Sequence, residues 1–320
     1  MRILITGGGG FLGQKLARAL IERGTIRGRA ITAMELVDLA PPAELHADFP
    51  VLAHAYDISK PKPVHASFVH KPDVVWHLAA VVSGAAEADM DLGYRVNLHG
   101  TLNIFEGARG AGNAPVVVYA SSWAAHGGEE PEIIEDGVEL NPQTSYGTQK
   151  VIGELLLNDY TRRGLIDGRG LRLPTVSIRP GKANLAASSF MSSIFRDTME
   201  GHKSNCPVPR DFPIWHSAPR TVIANLIHAA EVPGKDFGPN RNINLPGRTD
   251  AIGAMIDAMT AVFGPEAERR ITWDADPVIE TIVRGWRAHC KPGKGERLGF
   301  KADKDFADTV RWFLKDDIAR

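Results

Sequence analysis

The sequence predicts an α/β fold: a doubly wound parallel sheet with both faces covered, followed by a smaller mixed α/β lobe. Three observations carry that prediction. Short runs of Val, Ile and Leu recur through the first half, as strands buried on both faces require. Segments with apolar residues at helical spacing fall between several of them, and such alternation packs as a parallel sheet under crossover helices. A run of four glycines, residues 7–10, separates the first strand from the first helix.

RILIT reads as a short buried strand, and FLGQKLARALIERG carries Phe11, Leu12, Leu16, Leu20 and Ile21 at a helical period. ITAMELVD, VLAHAYD, DVVWHLAA, PVVVYASS and RLPTVSIRP read as further strands. LGYRVNLHGTLNIFEGARG and YGTQKVIGELLLNDYTRRG read as helices. Beyond Pro180 the rhythm changes: Ser, Asn and Pro become frequent around a helix at SSFMSSIFRDTMEG. A strand at NINLPG, a helix over 250–263 and a last helical stretch at ADKDFADTVRWFLKDD follow. The expected division is 1–180 for a nucleotide-binding domain and 181–320 for a substrate lobe, with some later segments returning to the first.

The chain is 43% hydrophobic with a formal net charge of −1. That balance argues against a nucleic-acid binder, which displays a basic stripe. Cys206 and Cys290 are far apart, no CxxC is present, and both are expected to be reduced thiols. The histidines are scattered without metal-ligand spacing, so no metal is expected. No apolar run reaches the ~20 residues of a membrane span. The first residues enter a strand without a charged leader, so the expectation is a soluble, cytoplasmic protein.

TGGGGFLG sets Thr6, Gly7, Gly10 and Gly13 in the spacing T-G-x-x-G-x-x-G between strand and helix. One glycine suits a tight turn, one the approach of a diphosphate to bare backbone, and one the packing of helix on strand. Phe11 and Leu12 open the helix, whose free N–H groups and dipole attract the pyrophosphate. This is the turn of a Rossmann-type dinucleotide site. Asp38, closing ITAMELVD, can accept from both adenosine-ribose hydroxyls and repel a 2′-phosphate. No arginine follows it at once, which favours NAD over NADP. Asp57 and Ile58 are candidates for the adenine edge, and Ala79 for the cofactor side of WHLAA.

Tyr146 and Lys150 form Y-x-x-x-K and share one helix face. A tyrosine that removes an alcohol proton near neutral pH must ionise more easily than its usual ~10, and an adjacent ammonium favours the phenolate. Ser121 and Ser122 end a strand, where open α/β sheets bind ligands; Ser122 is placed to orient the reacting oxygen. Asn97 stands either as a proton relay towards Lys150 or as a packing residue. His77 reads as structural.

In this order, TGGGGFLG, WHLAA, VNLHGT, the serine pair, YGTQK and the RPG after the sixth strand resemble the extended short-chain dehydrogenase/reductases, strongly over 1–180. The resemblance implies hydride transfer at the nicotinamide with Ser122, Tyr146 and Lys150 as the catalytic core and Asn97 in support. Lys150 and Tyr146 would also meet the cofactor. It implies a homodimer through a four-helix bundle of the helices holding Asn97 and Tyr146.

Departures from the family pattern fall around the substrate. Nucleotide-sugar members read S-x-x-x-V-Y-G, LRxxNVYGP and VDDVA where this chain reads SSWAAHGG, with His126 at the tyrosine's place, then VSIRPGKANLAASS and WHSAPRTVIANLIHA. The pattern is most similar to a branch that oxidises a small sugar acid at its C2 hydroxyl. A substrate carboxylate calls for an arginine fork. Arg179, Arg196 and Arg220 are the candidates; Arg179, before Pro180, reads first as structural, and Arg220 lies where the family faces its substrate. Ser83, Ser122, Tyr146, Ser188, Trp215 and Ser217 complete the expected pocket. Two other readings remain: a nucleotide-sugar epimerase, dehydratase or reductase, and an NAD-sensing binding protein. The latter is disfavoured by the intact Tyr146–Lys150 pair.

Overall fold

The computed structural model describes residues 1–181, 187–277, 279, 283 and 285–318. In chain order its main elements are β1 (Arg2–Thr6), α1 (Phe11–Arg23), β2 (Ala33–Asp38), β3 (Val51–Ala55), α2 (Pro61–Phe68), β4 (Val74–His77), α3 (Thr101–Ala111), β5 (Val116–Ser122), α4 (Ser145–Arg162) and β6 (Asp167–Leu173). Then come β7 (Thr175–Val176), α5 (Phe190–Met199), β8 (Pro213–Ser217), α6 (Pro219–Glu231), β9 (Asn242–Asn244), β10 (Arg248–Ala251), α7 (Ile252–Phe263) and α8 (Phe306–Phe313). The chain divides into two compact units. Met1–Ala125, Thr144–Arg172 and Ile223–Ile243 form the first; His126–Gln143, Leu173–Val222 and the chain from Asn244 form the second. The second unit thus takes in Leu173–Pro180 as well as His126–Gln143 from the first half of the chain.

The first unit is the expected doubly wound sheet, in the order β9-β6-β5-β4-β1-β2-β3. β1 runs parallel to both β2 and β4, with Leu4 beside Glu35 on one side and Val75 on the other. The order reverses at β1, so the turns leaving β1 and β4 part at the carboxyl edge and open a crevice there. Leu4, Val75 and Val117 from the strands meet Ile104, Phe105 and Ala108 of α3 and Leu157 of α4 in one core. α1 ends on Gly24, whose left-handed backbone (φ +66°) lets its N–H bond the Leu20 carbonyl at 2.9 Å. α4 starts on Thr144, whose hydroxyl accepts from Gly147 N at 3.1 Å.

One strand is displaced from its expected place. The sixth sheet strand is DGRGLRL, not RLPTVSIRP. Two glycines and two arginines hide it as a pattern, and the packing of neighbouring elements explains them. A Cβ on Gly170 would lie 1.9 Å from Asn242 Oδ1, and one on Gly168 2.5 Å from Thr161 Oγ1. Arg169 is wholly buried, giving hydrogen bonds to Asp167 Oδ2 at 2.9 Å and the Val232 carbonyl at 3.0 Å. Pro174 lacks the N–H to continue the ladder, and β7 joins a different sheet.

In the second unit β8 pairs parallel with β7 and antiparallel with β10. Phe190, Ile194 and Phe195 of α5, Met255, Ile256 and Met259 of α7, and Phe306, Val310 and Phe313 of α8 form its core. Cys206 and Cys290 are unbridged. Among the described residues no helix is long and apolar enough to cross a membrane.

Candidate active site

The glycine turn is tight for reasons internal to the fold. Gly7 has a left-handed backbone (φ +74°), and a Cβ there would lie 2.8 Å from Ala79 N across the crevice. A Cβ on Gly13 would lie 2.1 Å from the Gly7 carbonyl oxygen, so α1 packs directly on the turn. Gly8 is equally constrained: its Cβ would meet Leu36 Cβ at 2.9 Å, which the motif spacing did not indicate. At Gly10 a Cβ would meet only the Gly7 oxygen, at 3.2 Å. Gly10 caps α1 without a side-chain acceptor, so the first N–H groups of α1, including those of Phe11 and Leu12, take no side-chain cap from it.

Asp38 ends β2 beside this turn. Its carboxylate accepts from Gly9 N at 3.0 Å and Leu39 N at 2.7 Å, which fixes its direction and leaves lone pairs on both oxygens. Asp57 Oδ1 accepts from Ser59 N at 2.8 Å, and Ile58 is buried against Gly100. A bare turn, an uncapped helix start and an oriented carboxylate together fit a dinucleotide.

Three residues meet at the end of β5. Tyr146, on the first turn of α4, lies beside Ser122, whose Oγ accepts from Ala124 N at 3.1 Å. Lys150 follows one turn later, with Nζ 5.5 Å from the centre of the Tyr146 ring and 5.0 Å from that of Tyr119. Its ammonium donates to the Ala120 carbonyl at 2.8 Å. Burial pushes the Tyr146 phenol up to about 12, against the opposing pull of Ser122. Burial likewise lowers Lys150 to about 8, against the attraction of Glu154. The acidic phenol expected from the adjacent ammonium is not what this arrangement gives: desolvation, opposed by Ser122, holds the phenol above its ordinary value.

Asn97 lies in a π-helical stretch, Tyr94–Gly100. Its Oδ1 accepts from Val81 N at 2.7 Å, and its Nδ2 donates to Val81 O at 3.1 Å and to Gln149 at 2.8 Å. It therefore clamps the loop after β4 and ties it to α4. Glu87 does the same from the helix Ser83–Ala88, accepting from Ser145 N at the start of α4 at 2.9 Å; Ser83 is the first residue of that short helix. His77 sits between the hydroxyls of Thr6 (2.7 Å) and Thr101 (2.9 Å), buried and lowered to about 3 by desolvation and then by Lys150. It is neutral and structural.

The remaining candidates belong to the second unit. Ser217 is buried and donates to Asp303 at 2.7 Å; Asp303 also accepts from Ala218 N at 2.9 Å, capping α6. Trp215 is buried on β8, and Ser188 is half-buried in the turn Ala187–Ser189. Arg220 closes its fork on Asp316, with a 2.7 Å bond from Nε. Arg196 pairs with Asp197 at 2.6 Å and donates to the Arg179 carbonyl at 3.0 Å. His126 bonds Glu130 (3.1 Å) and Asn244 (3.0 Å). Arg179 differs: its Nη2 is buried with no hydrogen-bond partner among the described residues.

The family model for the NAD dependent epimerase/dehydratase family matches residues 3–228. The chain belongs to the NAD dependent epimerase/dehydratase family. Within it, the chain is 44% identical over 320 residues to the D-erythronate dehydrogenase of Cupriavidus necator, covering 99% of this chain and 98% of that one. It is 39% identical over 318 residues to the D-erythronate dehydrogenase of Haemophilus influenzae, covering 99% and 100%. A solved structure described as the nucleoside-diphosphate-sugar epimerase from Agrobacterium tumefaciens superposes with a TM-score of 0.95 at 40% identity, covering 100% of this chain and 95% of that one. Membership in the family implies use of NAD(H), in keeping with the glycine turn and Asp38.

Proposed function

We propose that this chain is a dehydrogenase that oxidises D-erythronate at C2, giving 2-oxo-tetronate and NADH. The observation that carries the chemistry is the meeting of Tyr146, Ser122 and Lys150 at the carboxyl end of β5. The substrate rests on similarity over the full chain to two D-erythronate dehydrogenases. Bound NAD supplies the hydride acceptor. Tyr146 Oη takes the C2 hydroxyl proton while Ser122 donates to the developing alkoxide, and Lys150 favours the phenolate. Asp38 supports NAD over NADP by repelling a 2′-phosphate.

The substrate carboxylate needs a guanidinium. Arg220 and Arg196 each hold a carboxylate of the chain, whereas Arg179 holds none among the described residues. That contrast supports Arg179 as the partner, with Ser83, Ser188, Trp215 and Ser217 as further pocket candidates. The reading includes a homodimer through the helices of Asn97 and Tyr146, supported by Leu155 on α4, which is 62% exposed. It also includes a cytoplasmic location, where Cys206 and Cys290 stay reduced.

The name of the Agrobacterium structure favours a second reading, a nucleotide-sugar epimerase on the same scaffold. NADH absorbance with a panel of sugar acids and nucleotide sugars separates the two. The proposal expects turnover of D-erythronate, abolished in Tyr146→Phe with NAD binding retained. Turnover of a nucleotide sugar and of no free sugar acid sinks it.

A further inference from the structure

α4 grips β5 at consecutive residues. Lys150 donates to the Ala120 carbonyl at 2.8 Å, and one turn later Glu154 accepts from Ser121 Oγ at 2.5 Å. Between them the backbone of α4 comes so close that a Cβ on Gly153 would stand 2.4 Å from the Tyr119 hydroxyl. Ser121 is spent on this grip while Ser122 is left to Tyr146.

Glu154 is itself held. Arg172 on β6 closes its fork on the carboxylate, with Nε 2.9 Å from Oε1 and Nη2 2.6 Å from Oε2. Glu154 is only 2% exposed and Arg172 8%. A buried carboxylate in such a cage persists only because it is paired and hydrogen-bonded. The cluster contains two cations, Lys150 and Arg172, and Glu154 is the anion between them. The other titratable groups facing Lys150 are the phenols of Tyr119 and Tyr146 and the neutral imidazole of His77.

We propose that Glu154 is a positioning residue for the chemistry at Tyr146, acting in two ways. Through Ser121 it fixes how far along β5 the helix sits, and hence that Tyr146 faces Ser122. By neutralising Arg172 it keeps a second cation from confronting Lys150. The inference rests on the dehydrogenase reading for its purpose but not for its test. The attraction of Glu154 already opposes the burial that lowers Lys150. With the carboxylate gone, Lys150 loses that attraction and sheds its proton at lower pH.

The test is the titration of Lys150 itself, followed by NMR of 13C-labelled lysine, with the signal assigned by its loss in Lys150→Met. Glu154→Gln is expected to lower the midpoint by at least about one pH unit. Glu154→Gln/Arg172→Gln removes both members of the buried ion pair and serves as the second variant where the single one does not fold. It is expected to bring the midpoint back to within about half a unit of the wild type. Ser121→Ala keeps all three charges, so it is expected to leave the midpoint alone and lower kcat at unchanged NAD affinity. An unshifted midpoint in Glu154→Gln overturns the charge role, as does a double variant that titrates with the single one. A Ser121→Ala enzyme with wild-type kcat overturns the register role. A wild type that oxidises no sugar acid sinks the proposed substrate, while the titration still decides the charge role of Glu154.

Discussion

Lys150 gives its hydrogen bond to the Ala120 carbonyl, 2.8 Å away, while its nitrogen stands 5.5 Å from the centre of the Tyr146 ring. The ammonium is thus tied to the strand and stands beside the Tyr146 ring. It is buried at a cost to the folded state. The folded pKa of about 8 lies below the ordinary 10.5, so between these values the unfolded chain binds a proton that the native protein does not. Stability from this group therefore rises as pH goes from 8 to 10.5. Lys150→Met is expected to remove activity yet raise stability at pH 7 by about 1–2 kcal/mol, after the loss of the Ala120 bond. Urea denaturation at pH 7 and pH 10 checks it, and the gain must shrink at the higher pH.

His77 makes the same argument at acid pH. Its pKa falls from 6.5 to about 3 on folding, so the unfolded chain takes up a proton between those values and the native one does not. Stability is lost as pH falls through that window, by up to about 1.4 kcal/mol per unit. His77→Gln is expected to cost about 1–3 kcal/mol at pH 7, through the Thr6 and Thr101 hydroxyls, but to flatten the acid limb. Thermal melts from pH 7 to pH 4 compare the two slopes.

Asp38 is oriented by Gly9 N and Leu39 N before any ligand arrives. Asp38→Ala is expected to weaken NAD by about 10- to 100-fold, the worth of a charged hydrogen-bond pair, and to leave NADP unchanged or tighter. Fluorescence titration with both dinucleotides measures this; equal losses reject Asp38 as the discriminator.

Among the described residues Arg179 has no anion of its own, and its charge is disfavoured first by burial and then by the neighbouring Arg196. Arg179→Gln is expected to raise KM for a sugar acid at least about tenfold at similar NAD affinity. It is also expected to keep or raise the melting temperature, since it removes a charge that burial disfavours. A fall in melting temperature with unchanged KM makes Arg179 a structural residue.

The glycine turn, Asp38 and the Tyr146–Lys150 face were legible because each is a short-range pattern whose geometry follows from the local chain. Thr144 as the cap of α4 is legible for the same reason. β6 was not, because Gly168, Gly170, Arg169 and Arg172 answer to α4, β9 and the loop after α6, all distant in sequence. Glu154 left a faint trace, one turn beyond Lys150, but nothing local says that Arg172 meets it. The phenol's upward shift was likewise invisible, since burial is decided by the whole fold.

Ser122 and Thr144 both belong to the first unit, yet His126–Gln143 folds with the second. The loop therefore behaves as a cassette spliced between the strand that holds the hydroxyl and the helix that holds the phenol. Its ends are pinned by the β5 ladder and the Thr144 cap, so its length and composition can drift while the reacting pair stays in place. Changes confined to that cassette are therefore expected to leave the end of β5 and the start of α4 as they are.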